Sequence, residues 1–190
     1  MKHLFSLLIL VLFLNIVIGQ KSNKIKNIHF VDSVSKYKTI DDILLLPQFI
    51  NKTVYIDYWA TTCIPCIKEF AYSSKVNKRL SIKNVAFIYI CDNFHGSIND
   101  VDRKKWKSLV YKYKLEGSHF YLYIIPPNKV VHDIIDMDYL VKHQNDKIYG
   151  VPSYFIANKG KIIIYNAYRP SELEKLEKQI DSINSLQKIF

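Results

Sequence analysis

Two nearly unbroken apolar runs, Thr53–Ala60 and Asn84–Cys91, set the frame of this chain. Both are rich in β-branched and aromatic residues and lack polar alternation, the pattern of strands covered on both faces. Between them, Cys63–Leu80 has helical spacing, with Ile67, Phe70, Ala71 and Ser74 expected on its inner face. A strand, a helix and a strand in that order predict a parallel β-α-β unit. Upstream, Thr39 is placed to cap a short helix to Leu46, with Asp41 and Asp42 in its first turn and Pro47 ending it. Downstream, Ile98–Leu115 predicts a helix with Trp106, Leu109, Val110 and Tyr113 on one side. Phe120–Ile125 predicts a short strand broken by Pro126-Pro127, and Val130–His143 another helix. Ser153–Ala157 and Lys161–Tyr165 flank the turn Asn158-Lys159-Gly160, a hairpin pattern. Pro170 and Ser171 open a last helix lined by Leu173, Leu176, Ile180, Ile183 and Leu186. The order predicts an α/β domain, a mixed central sheet flanked by helices on both faces.

The first residues belong to a different class. Lys2 precedes an apolar run, Leu4–Ile18, that falls short of the ~20 residues a spanning helix needs. Met1–Gly19 therefore predicts a signal peptide cut before Gln20, with an uncleaved membrane anchor as the alternative. Residues 20–38 are a polar lead-in whose apolar patch, Ile28–Val31, predicts a strand or an extended arm, and residues 39–190 form the folded domain. Export leads to an oxidising compartment, periplasmic or extracytoplasmic, where a thiol pair can cycle. After cleavage no stable membrane insertion is expected.

Composition changes this picture little. The 190 residues are 49% hydrophobic and 23% charged, ordinary for one globular domain. The net charge of +10 raises the question of nucleic acid, but the lysines are scattered and form no dense stripe. No nucleic-acid partner is expected.

The chemistry lies in Cys63-Ile64-Pro65-Cys66, at the junction of the first buried strand and its helix. A C-x-x-C pair alone also occurs in zinc sites. Here Cys91 is the only further cysteine and the six histidines are isolated, so no metal and no other cofactor is expected. At a helix start, unpaired N–H groups and the positive end of the dipole stabilise a thiolate. Cys63 is thus predicted to be the exposed nucleophile, with a pKa in the range of about 3.5 to about 7 that C-x-x-C thiols span. Cys66, one turn deeper, is the buried resolving thiol, and Pro65 sits where a missing N–H costs little. Asp57 interrupts its apolar strand six residues before Cys63. Burial would raise its pKa and suit it to take the proton of Cys66. Gly150-Val151-Pro152 precedes a strand. A cis Val151–Pro152 bond there would turn the backbone of Val151 toward a partner chain that pairs as an added strand. Cys91 ends a buried strand and is expected to be a core thiol.

These residues carry a resemblance. V-Y-I-D-Y-W-A-T-T-C-I-P-C-I-K-E resembles the active-site strand and helix of the thioredoxin superfamily, and Y-G-V-P-S-Y-F-I-A-N-K-G-K-I resembles its cis-proline hairpin. The export signal, the Lys68-Glu69 pair and the long segment between Asp92 and Tyr149 resemble the TlpA/ResA-like branch, exported thiol–disulfide oxidoreductases with an inserted β-α element. The resemblance implies that Cys63 attacks, Cys66 resolves and Asp57 is the buried acid. It also implies that Trp59 packs beside the site, and that Trp59, Thr62, Ile64, Pro65, Val151 and Pro152 face substrate. Thr62 replaces the family's usual aromatic, Ile64 stands within the C-x-x-C, and Ala71 stands where many relatives have a helix-kinking proline. The implied partners are disulfide-containing exported proteins and a membrane thiol donor that restores the dithiol. With no histidine between the cysteines, a reductant is expected, with a potential below about −180 mV. The alternatives are an interaction module with a static disulfide, and a peroxidase, for which the P-x-x-x-T-x-x-C loop is missing.

Overall fold

The computed structural model describes residues 27–31, 40–93, 100–123 and 151–186. The N-terminal segment, Thr39, the expected helix Val130–His143 and the expected insertion lie outside the described residues.

Six strands form one sheet: β1 (Ile28–Val31), β2 (Thr53–Ala60), β3 (Val85–Asn93), β4 (Gly117–Tyr123), β5 (Ser153–Asn158) and β6 (Lys161–Ile164). The helices are α1 (Ile40–Leu44), α2 (Ile64–Ser81), α3 (Asp100–Tyr113) and α4 (Leu173–Leu186), the last entered through a 3-10 turn, Pro170–Glu172. The strand order is β1-β4-β3-β2-β5-β6. β1, β4, β3 and β2 run parallel, whereas β5 is antiparallel to β2 and β6 to β5. The sheet is therefore mixed, as the pattern predicted. The patch Ile28–Val31 supplies its edge strand, so the sheet begins before residue 39.

Alternation along β2 explains the layers. Val54, Ile56 and Tyr58 pack with Ile40, Ile43 and Leu44 of α1 on one face. Tyr55 and Trp59 point to the other face, into a core completed by Phe70, Val76 and Leu80 of α2, Trp106 and Val110 of α3, and Leu176 and Ile180 of α4. Every residue of β2 is buried, which accounts for its unbroken apolar sequence.

The inner face of α2 differs from the expected one. Cys66, Phe70, Ser73, Val76, Asn77 and Leu80 are buried, whereas Ala71 and Ser74 are exposed. The true stripe carries two polar residues, which hid it from a reading of hydrophobic spacing. Asn77 is accommodated because its amide donates to the Glu116 carbonyl (2.8 Å) and accepts from the Tyr89 hydroxyl (3.2 Å). Likewise β4 starts at Gly117, earlier than expected. Its polar opening, Gly117-Ser118-His119, is held by pairing to β1 and β3 rather than by apolar side chains.

His119 is the odd residue of that opening. It is fully buried, its ring stacked on Tyr89 at 4.8 Å, with Nε2 donating to the Leu115 carbonyl at 2.8 Å. Its Nδ1 has no hydrogen-bond partner. Burial lowers its pKa to about 4, below the ordinary value near 6.5. The unfolded chain thus binds a proton that the folded chain refuses, so this group costs stability as pH falls from 6.5 toward 4. Relative to His119→Gln, which keeps an N–H donor, the parent should lose roughly 3 kcal/mol between pH 7 and pH 4. Urea titrations of both proteins at the two pH values check this.

Candidate active site

The C-terminal ends of the central parallel strands gather the chemistry. β2 ends at Ala60, and Thr61-Thr62 turn the chain, with the Cys63 N–H donating to the Ala60 carbonyl at 3.0 Å. Cys63 is the N-cap of α2 in an extended conformation, and its Sγ accepts the Cys66 N–H at 3.1 Å. A sulfur takes the place that a serine or aspartate oxygen holds at other helix starts, satisfying one orphan donor of the first turn. The same N–H and the helix dipole would stabilise negative charge on that sulfur once the pair is reduced. Cys63 and Cys66 are joined in a disulfide. Pro65 lies in the first turn, where it removes no hydrogen bond, and α2 continues without interruption past Ala71 to Ser81.

Cys66 is sealed from solvent, and Cys63 keeps only 8% of its surface. The expectation of an openly exposed nucleophile is corrected accordingly. The sulfur turns inward to meet the Cys66 N–H and packs at the rim of the core formed by Tyr55, Trp59 and Phe70. Cys63 is still the more accessible member of the pair. Its flank is open: Thr62 and Pro65 are exposed, and Ile64 is 68% exposed. From Ile64 a groove runs between α2 and α3, lined by Ile67, Lys68, Tyr72, Tyr113 and Ser171.

Trp59 does not line this surface. It is fully buried, with its ring edge-on to Phe70 at 4.9 Å, so it supports the site from inside and offers no face to a substrate. The side-chain alternation of a strand dictates this: Trp59 shares a face with Tyr55, beneath α2.

The Val151–Pro152 peptide bond is cis, and both residues are half-buried. Ser153, the next residue, pairs with Tyr58 of β2, which places Pro152 beside the end of β2 from which the chain departs toward Cys63. Cys91 pairs in register with Trp59, is buried, and lies outside the disulfide, as expected of a core residue.

Asp57 is buried, and neither of its carboxylate oxygens has a hydrogen-bond partner. Desolvation pushes its carboxyl well above the usual carboxylate range, and the charge of Glu69 on α2 adds to the effect. Its neighbours across the sheet are aromatic: Tyr89 on β3 and Tyr154 on β5 lie directly opposite it. Sequence reasoning passed over these tyrosines, although a strand pairing of the two apolar runs with the hairpin would have brought them to Asp57. Among the described residues no group of three or more metal-binding side chains occurs.

No family model matches this chain, and no curated protein is significantly similar to it. Solved structures do match. A thiol-disulfide oxidoreductase from Bacteroides fragilis is similar at TM-score 0.50 and 20% identity, over 72% of this chain and 87% of its own. The chain has the thioredoxin fold. Also similar are the thioredoxin domain of a Bacteroides vulgatus thiol-disulfide oxidoreductase, at TM-score 0.48 and 19% identity, covering 73% of this chain and 83% of that one, and a secreted Mycobacterium tuberculosis disulfide oxidoreductase, at TM-score 0.43 and 16% identity, covering 69% and 81%. In this thioredoxin fold the disulfide caps the helix that follows the central strand β2, and the cis-proline precedes the antiparallel strand beside it.

Proposed function

We propose that the protein is an exported thiol–disulfide oxidoreductase that reduces disulfides of extracytoplasmic proteins through Cys63 and Cys66. The observation that carries this reading is the Cys63–Cys66 disulfide at the N-cap of α2, with the Cys66 N–H aimed at the Cys63 sulfur. A helix start of this kind favours the thiolate that exchange requires.

In the reduced protein, the Cys63 thiolate attacks one sulfur of a substrate disulfide. The substrate's other sulfur leaves as a thiolate, and a mixed disulfide forms. The Cys66 thiol then gives its proton to Asp57 and attacks the Cys63 sulfur. The second substrate sulfur departs, two electrons have passed to substrate, and the Cys63–Cys66 bond is restored. Thr62, Ile64, Pro65, Val151 and Pro152 are proposed to meet the substrate chain. A membrane thiol donor is proposed to return the pair to the dithiol state. Export rests on the apolar segment Met1–Gly19. Among the described residues no helix is long and apolar enough to cross a membrane.

A second reading is a binding module with a static disulfide, favoured by the small exposed surface of Cys63. Insulin reduction separates the two. With a dithiol as electron source, the purified protein should accelerate precipitation of the insulin B chain. A rate equal to that of the dithiol alone would support the static module.

A further inference from the structure

Three tyrosines surround the buried acid, and their hydroxyls are not equivalent. Asp57 stands in a row across three strands, with Tyr89 of β3 on one side and Tyr154 of β5 on the other. Tyr55 lies two residues back on the same face of β2, its ring stacked on that of Tyr154 at 5.9 Å and 9°. The Tyr55 hydroxyl donates to the Tyr168 carbonyl at 2.9 Å, and the Tyr89 hydroxyl donates to Asn77 Oδ1 at 3.2 Å. The Tyr154 hydroxyl is buried with no hydrogen-bond partner, and so are both oxygens of Asp57. An unpaired donor and an unpaired acceptor stand on directly opposed residues, beyond hydrogen-bond distance of each other, and each costs free energy to bury, so a small side-chain movement that joined them would relieve both.

We propose that Tyr154 is a positioning residue for the Asp57 proton, its side chain shifting so that the hydroxyl donates to the Asp57 carboxylate whenever that carboxylate is ionised. The proposal rests on the thiol–disulfide reading above, in which ionised Asp57 accepts the Cys66 proton. Before that transfer the Tyr154 hydroxyl holds the carboxylate. As the proton moves from the Cys66 sulfur to an Asp57 oxygen, the bond is released and the hydroxyl returns to its unpaired place. A buried carboxylate without such a donor would stay protonated and could not act as a base. The other groups that face or influence Asp57 do not offer this service. Tyr55 and Tyr89 are engaged elsewhere. Glu69 carries the same sign of charge, and its oxygens accept from the Ser171 N–H and hydroxyl at 2.9 and 3.0 Å. The charge of Arg169 bears on Tyr154, whereas the influences on Asp57 are burial and Glu69. Cys66 is bonded to Cys63.

The test follows the protonation of Asp57 directly in the oxidised protein. The aspartate carboxyl carbons are labelled with 13C and followed by NMR from pH 4 to 10, with the Asp57 signal identified by its loss in Asp57→Asn. A hydrogen bond to the charged form favours it, so Tyr154→Phe should raise the Asp57 midpoint by about one pH unit, a tenfold gain in proton affinity. Tyr55→Phe and Tyr89→Phe should move it less. A Tyr154→Phe midpoint that is unchanged, lower, or displaced no further than in those two variants overturns the proposal. Each substitution removes a single oxygen, and circular dichroism on the same samples confirms folding. The readout needs no disulfide exchange, so a protein that leaves insulin intact yet shows the displacement would sink the functional reading alone.

Discussion

Replacing Cys63 with serine should abolish catalysed insulin-disulfide reduction, lowering it to the rate of the dithiol alone. The argument is chemical: exchange proceeds only through a thiolate attacking along the S–S axis, and a serine hydroxyl is not ionised at neutral pH. Cys66→Ala should behave differently. It leaves the first attack intact and removes the group that resolves the mixed disulfide, so substrate proteins should accumulate in covalent, dithiothreitol-sensitive complexes with Cys63. The two sulfurs are distinguished in the structure by access, because Cys66 is fully buried and Cys63 is not. Complexes trapped by Cys63→Ala and not by Cys66→Ala would reverse the assignment, and their absence from both variants would remove it. The fold should survive either change. Cys63 sits at a helix cap, and the loss of a cap is worth about 1 kcal/mol.

Asp57→Asn should make the protein more stable and less active at once. The unfolded carboxyl has a pKa of about 3.9. In the folded chain, desolvation among Tyr55, Tyr89 and Tyr154 raises it well above the usual range. A raised folded pKa means that the folded state holds the proton more tightly than the unfolded state does. The stability this group contributes is therefore complete below pH 4 and is lost as pH rises through the folded pKa. Asparagine removes that dependence. Denaturant titrations should show Asp57→Asn more stable than the parent at pH 8 and nearly equal to it at pH 4. Meanwhile release of substrate from the mixed disulfide should slow by about 10²-fold, the scale of a lost general base. A purely structural aspartate would show the opposite pairing, with lower stability and an unchanged rate.

The scaffold was legible where local pattern and tertiary context agree. β2 was bounded correctly because burial on both faces forces an unbroken apolar run, and the hairpin was located, to within one residue at the end of each strand, because Asn158-Lys159-Gly160 breaks the apolar pattern. The cis bond at Val151–Pro152 was anticipated from the residues around it. Legibility failed where polar residues are buried. Ser73 and Asn77 broke the apolar stripe of α2, and the start of β4 was hidden because His119 is held by a carbonyl and a stacked tyrosine. The site showed the same division. Sequence anticipated the pairing of Cys63 with Cys66 and the burial of Asp57, since all three lie within one stretch of chain. It misjudged the exposure of Cys63 and the orientation of Trp59, both of which depend on how α2 sits on the sheet. It also missed the tyrosines around Asp57, which only strand register brings together.

The reduction potential of the Cys63–Cys66 pair tests the central claim most directly. The oxidised and reduced forms can be equilibrated in glutathione or dithiothreitol buffers and quantified after acid quenching and thiol alkylation. A redox-active pair serving as a reductant should lie between about −180 and about −300 mV. A value below about −300 mV, in the range of structural disulfides, would mark an inert staple and contradict the account.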